Sequence, residues 1–198
     1  MTVEQTALAV FVDRYTMQYT RRYPHPIELV WEAVTTSEHL NAWLLPVTRV
    51  ERRLGGRCSF TWGGPEEDGM QVGEVTDFDP PRLVTYSFTE PVSSLRFDLE
   101  PDGSDGTWLR FTLAWPVGAS DNEPEDYPGG DLPAGPDTAW RPGFLAGFHG
   151  MLDDLALFLD GHWTIANREA EIAAYPTPKL QALIDQYRTH LRSHCPPR

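Results

Sequence analysis

The chain has 198 residues and a formal net charge of -13, with 16 Lys and Arg against 29 Asp and Glu. This length suffices for one domain with a substantial core, and so acidic a balance excludes a nucleic-acid partner, which needs a basic surface. No apolar run approaches the ~20 residues that cross a bilayer, no signal peptide is recognisable, and two cysteines, Cys58 and Cys195, form neither a disulfide framework nor a metal pattern. The expectation is a cytoplasmic protein without a membrane partner. In chain order, residues 8–12 are a short apolar run, expected as an arm or strand packed on the domain. Residues 14–23 alternate, with Tyr15, Met17 and Tyr19 on one face, which predicts a strand with one buried side. Pro24 and Pro26 stop it. Ile27, Val30, Trp31 and Val34 then recur at helical spacing, and Ser37 caps a second short helix that turns Leu40, Trp43 and Leu44 inward.

From residue 47 the pattern is a meander. Strands are predicted over 47–54 and 57–62, joined by a Gly55-Gly56 turn, with Cys58, Phe60 and Trp62 sharing a face. Runs at 70–78, 83–88 and 94–100 end at proline-rich or Gly-containing turns, and 107–115 alternates strictly through Leu109, Phe111, Leu113 and Trp115. That makes seven strands. Residues 116–141 lack aliphatic periodicity and read as a long acidic loop.

Residues 142–161 then place Phe144, Leu145, Phe148, Met151, Leu152, Leu155, Phe158 and Leu159 on one arc of a helix. Pro142 suits its first turn and Gly161 its C-terminal cap. In the tail, Thr177-Pro178 opens a further amphipathic helix with Leu180, Leu183, Ile184, Tyr187 and Leu191 on one side. That apolar face must be covered by the body of the domain or by another subunit.

Several of these stretches together carry a resemblance. They are Pro26 with Val30-Trp31, Thr35 through Trp43, Arg53-Leu54-Gly55-Gly56-Arg57, Gly73-Glu74-Val75, Asp79-Pro80-Pro81-Arg82-Leu83, and Gly147-Phe148 before Leu152-Asp153-Asp154-Leu155. In this order and spacing the chain resembles the START/Bet v 1 (SRPBCC) superfamily. Within it, residues 14–161 look like the branch named for the activator of the heat-shock-protein-90 ATPase. The resemblance implies an α+β helix-grip fold: a seven-stranded curved antiparallel sheet around a long C-terminal helix, with two short helices after strand 1. Here an extra C-terminal helical tail is added, dividing the chain into a helix-grip domain, 1–161, and a C-terminal helical extension, 162–198.

Alternation assigns Tyr15, Met17, Phe60, Trp62, Val84, Tyr86, Phe97, Leu99, Leu109, Phe111 and Leu113 to the inner face of the sheet. By themselves these residues read as a core. The resemblance adds the expectation of a cavity between sheet and helix, apolar with a few orienting groups. Its candidate ligand-binding residues are Trp43, Phe60, Trp62, Met70, Glu74, Tyr86, Phe97, Phe111, Phe144, Phe148, Met151 and Leu152. Glu74 faces inward if it keeps parity with Met70 and Val72; in the opposite register Gly73 and Val75 point in and Glu74 meets solvent.

His149 and Asp153 stand one turn apart but outside the apolar arc, which places them on a solvated face. No metal triad, nucleophile elbow, phosphate loop or dinucleotide fingerprint occurs, so no catalytic residue, metal or cofactor is expected. The leading expectation is non-catalytic binding of a small hydrophobic or amphipathic molecule. The alternatives are a co-chaperone-like module regulating an ATPase, and a polyketide-cyclase-like or hydrolase-like enzyme that would use Glu74 or Tyr86. Expected partners are the small molecule, a chaperone, or a second copy of the chain through the C-terminal helix.

Overall fold

The computed structural model describes residues 8–13, 16–45, 48–61, 70–88, 94–103, 105–114, 141–174 and 177–194. Among them, the chain runs through β1 (Val10–Asp13), β2 (Thr16–Tyr23), α1 (Ile27–Thr35), α2 (Ser37–Trp43), β3 (Arg49–Val50), β4 (Arg57–Thr61), β5 (Met70–Asp79), β6 (Leu83–Phe88), β7 (Ser94–Pro101), β8 (Thr107–Ala114), α3 (Arg141–Leu159), α4 (Ile165–Ala173) and α5 (Pro178–His194). All neighbouring strands pair antiparallel in the order β1-β2-β8-β7-β6-β5-β4-β3. This is the expected α+β meander around a late helix.

The sheet has eight strands rather than seven, because the apolar run near the N-terminus forms β1 and pairs Val10 with Gln18 and Phe11 with Met17. Without β1 that edge of β2 would leave its backbone donors and acceptors to solvent. β3 is shorter than expected, since the chain leaves the ladder after Val50 and folds into the turn around Gly55, whose φ of 70° favours glycine. α4 has no counterpart in the predicted elements. Its only large apolar residues are Ile165 and Ile172, too few for a helical arc, and its clearest signal is the capping box between Thr164 and Asn167. Tyr15, Trp62 and the acidic loop at 116–140 lie outside the described residues.

Bulky rings knit sheet to helix. Phe60 meets Tyr86 at 5.2 Å between centroids, Phe97 meets Phe111 at 4.8 Å, Phe111 meets Phe148 of α3 at 5.4 Å, and Phe148 meets Phe144 at 4.9 Å. Two tyrosines pin the helix: Tyr19 Oη donates to the Leu145 carbonyl at 2.9 Å, and Tyr23 Oη to that of Leu152 at 3.0 Å.

α3 is buried on two sides. Leu145, Phe148, Leu152 and Leu155 are inside, while α5 covers a second face with the buried Leu183, Tyr187 and Leu191. The apolar face of α5 is therefore covered by the body of the chain itself.

Candidate functional site

The register of β5 decides which groups line the interior. Phe60 stands opposite Gln71, Cys58 opposite Gly73, Gly73 opposite Phe88, and Val75 opposite Tyr86. Opposed residues in a ladder project to the same side, so the buried Phe60 and Tyr86 fix Gln71, Gly73 and Val75 as inward. Gln71 and Val75 are buried, whereas Val72 and Glu74 are exposed. Glu74 thus takes the solvent side, the reverse of the parity it would share with an inward Val72. Gly73 suits this place because a Cβ there would collide with the Ser87 carbonyl and the Phe88 ring.

Of the other candidates, Trp43, Phe60, Tyr86, Phe97, Phe111, Phe148 and Leu152 are buried, and Phe144 is half-buried against Phe148. Met151 projects elsewhere, into a space bounded by Leu180 and Leu183 of α5. Trp62 and the side chain of Met70 lie outside the described residues.

The polar atoms of this interior are mostly engaged. Trp43 Nε1 donates to the Ala33 carbonyl at 2.9 Å and Tyr86 Oη to that of Val34 at 2.8 Å, beside the two tyrosines already bonded to α3. Burial drives the phenols of Tyr19, Tyr23 and Tyr86 well above their ordinary range, so they remain protonated. The Cys58 thiol is pushed up to about 12, by burial first and by the Glu74 charge second. Gln71 differs: it is only 6% exposed, and its Oε1 has no hydrogen-bond partner. No strand-alternation argument that placed Glu74 inward could have found it.

A second polar cluster joins α3 to α5. His149 is buried, contrary to the solvated face expected, because α5 covers that side of α3. Its Nδ1 shares a 3.0 Å hydrogen bond with Tyr187 Oη, which also accepts the Ala9 backbone N–H at 3.0 Å. Asp153 lies 3.8 Å from His149 Nε2 and 3.4 Å from Lys179 Nζ.

Burial lowers the His149 pKa to about 4; Arg21 and Lys179 act in the same direction and Asp153 opposes them. The native imidazole therefore stays neutral where the unfolded one, near 6.5, binds a proton. Stability present above pH 6.5 is lost as the pH falls toward 4. Asp154 acts in the opposite sense: burial and Glu171 raise its carboxyl, so its contribution declines as the pH rises through the folded value. Urea midpoints at pH 7 and pH 4.5 should therefore drop more in the wild type than in His149→Gln. Parallel drops would refute the assignment.

Among the described residues, no group of three His, Cys, Asp or Glu could hold a metal ion, and no helix is long and apolar enough to cross a membrane.

A family model described as activator of Hsp90 ATPase homolog 1-like protein matches residues 24–156. The fold is similar to that of CalU16 from Micromonospora echinospora, at 19% identity and a TM-score of 0.60 over 93% of either chain. It is also similar to EF2215, a conserved protein of unknown function from Enterococcus faecalis, at 16% identity and a TM-score of 0.60 over 95% of this chain and 91% of that one. The Aha1 dimer from Colwellia psychrerythraea matches at 16% identity and a TM-score of 0.53, over 74% of this chain and 97% of its own. Among curated proteins, none matches the sequence.

Proposed function

The chain belongs to the activator of Hsp90 ATPase homolog 1-like family, and from that premise we propose that it binds a small apolar or amphipathic molecule between the sheet and α3 without transforming it. The observation that carries this reading is Gln71: a buried carbonyl oxygen without a partner, next to Phe60 on an otherwise aromatic face. A buried acceptor left unpaired costs about 1–3 kcal/mol, which a guest offering one O–H or N–H would relieve. The ring of Phe111 contacts those of both Phe97 and Phe148. The guest is accordingly placed at the β4–β5 end, against Phe60 and Gln71, rather than at the centre. Binding is favoured over turnover because Glu74 faces solvent and the Tyr86 hydroxyl is committed to a backbone carbonyl.

The test uses 2-naphthol and naphthalene, which differ by one hydroxyl. The wild type is expected to prefer 2-naphthol roughly fivefold, the equivalent of a net hydrogen bond of about 1 kcal/mol. Gln71→Leu should lose that preference while keeping its affinity for naphthalene and its stability, since the substitution removes an unpaired polar group. Wild-type protein that saturates with neither compound, or a preference that survives in Gln71→Leu, would overturn the reading.

A further inference from the structure

At the β3 edge the outer face of the sheet is basic, in a chain that is otherwise strongly acidic. Residues 49–57 hold four arginines and one glutamate, against a net charge of -13 for the whole sequence. Opposed residues in a ladder share a side, so the pairs Arg49–Ser59, Ser59–Val72 and Arg57–Glu74 place Arg49, Arg57, Val72 and Glu74 on the outer face, away from Phe60 and Gln71. All four are exposed.

Two of the four arginines are matched within the chain: Arg52 reaches Glu32 and Arg53 reaches Glu51, each at 2.6 Å. Among the described residues, Arg49 and Arg57 form no ion pair. Glu74 stands opposite Arg57, but its carboxylate leans over Gly55, with Oε1 3.5 Å from where a Cβ would be. Beyond Arg57 the strand leads back into the turn, where Leu54 is 64% exposed and joins no part of the core. The turn is stiff. Gly55 N–H donates to the Val75 carbonyl and Val75 N–H to that of Gly56, both at 2.8 Å, and a Cβ on Gly56 would collide with the Glu51 carbonyl. Little ordering cost therefore opposes a partner here.

The spacing defines that partner. Arg49 and Arg57 lie on adjacent strands, two residues apart in register, so their Cα atoms are separated by about 8 Å. Carboxylates at positions i and i+2 of an extended peptide stand about 7 Å apart on one side of its chain, and position i+4 then reaches the turn and Leu54. A membrane fits less well. Its charged surface would also meet the acidic remainder of the protein, whereas a short peptide is screened from it beyond a Debye length of about 8 Å.

We propose that this face docks an extended acidic segment of a partner protein, with carboxylates two residues apart on Arg49 and Arg57 and an apolar side chain two residues further along on Leu54. The surface is independent of the guest assigned to the interior, which lies on the other side of the sheet.

The test is an NMR titration of the full chain, read on the backbone amides of residues 49–57, with three peptides blocked at both ends: Gly-Glu-Ser-Glu-Ser-Leu-Gly, its isomer Gly-Glu-Glu-Ser-Ser-Leu-Gly, and Gly-Lys-Ser-Lys-Ser-Leu-Gly. The first is expected to shift these signals saturably and to bind at least threefold more tightly than its isomer, while the lysine peptide gives no saturable shift. Arg49→Ala and Arg57→Ala should each weaken binding about two- to fivefold, and Leu54→Ser should weaken it several-fold. Glu74→Gln, which removes a competing carboxylate, should tighten it about twofold. Arg49→Glu combined with Arg57→Glu should reverse the preference in favour of the lysine peptide. Every substituted position is exposed, so thermal midpoints should stay at the wild-type value. The proposal is overturned by an acidic peptide that does not saturate or by equal binding of its isomer. It is equally overturned by phosphatidylserine vesicles that shift the same amides, or by a wild-type dimer that Arg57→Glu dissociates, which would assign the face to a second copy.

Discussion

Phe97→Ala is expected to destabilise the protein by about 3–5 kcal/mol, the range for removing a fully enclosed aromatic side chain. Phe97 has no exposed surface and occupies the middle of the ring cluster, 4.8 Å from Phe111, 6.1 Å from Tyr86 and 6.4 Å from Trp43 between centroids. The cost of such a truncation depends on how far the neighbours relax into the hole. Here Tyr86 is tethered to Val34 and Trp43 to Ala33, both on α1, so each would have to break a buried hydrogen bond to move inward. The loss should accordingly lie toward the upper end. Phe144→Ala, at the half-buried end of the same series of rings, should cost less than half as much. Urea unfolding of the two variants checks this. A loss below about 2 kcal/mol for Phe97→Ala would mean that the rings repack and that the tethers are not rigid.

The burial of Phe97 was readable before any coordinates, because β7 and β8 alternate cleanly, whereas in β6 Thr85 is buried between its two inward neighbours. Val84 and Tyr86, Phe97 and Leu99, and Leu109, Phe111 and Leu113 are all buried as their parity requires. β5 was ambiguous for a physical reason. Its sequence carries apolar residues on both parities, Met70 and Val72 on one and Val75 on the other, and a bulge follows between Val75 and Asp77. Only the registers against Phe60 and Tyr86, set by neighbouring strands, turn Gln71 inward and Glu74 out.

α3 misled in a different way. A helical arc identifies one buried face, but this helix has two partners, so His149 and Met151 belong to a contact with α5 that a single-arc reading does not contain. The same limit hides Arg21, which is buried within a strongly polar stretch of β2. Its neighbours in sequence say nothing of the helices that cover it.

The contact with α5 has a strong consequence of its own at Tyr187, a fully buried ring 178 positions beyond Ala9 in sequence. Its hydroxyl accepts the Ala9 N–H and shares a hydrogen bond with His149, while His190 Nε2 lies 3.1 Å from the Ala9 carbonyl oxygen. One side chain therefore ties α3 and α5 to the residue that precedes β1. Tyr187→Phe keeps the ring but leaves the buried Ala9 N–H without its acceptor, an expected loss of about 1–3 kcal/mol. Tyr187→Ala also empties the ring's place and should cost about 3–5 kcal/mol.

The loss should be local in the first variant. Hydrogen exchange is expected to quicken in residues 8–13 and in α5 while β6, β7 and β8 keep their protection, since those strands draw on the ring cluster instead. Acceleration spread evenly over the sheet, or wild-type stability in Tyr187→Phe, would contradict this division. The 2-naphthol preference set by Gln71, on the far side of α3, should remain.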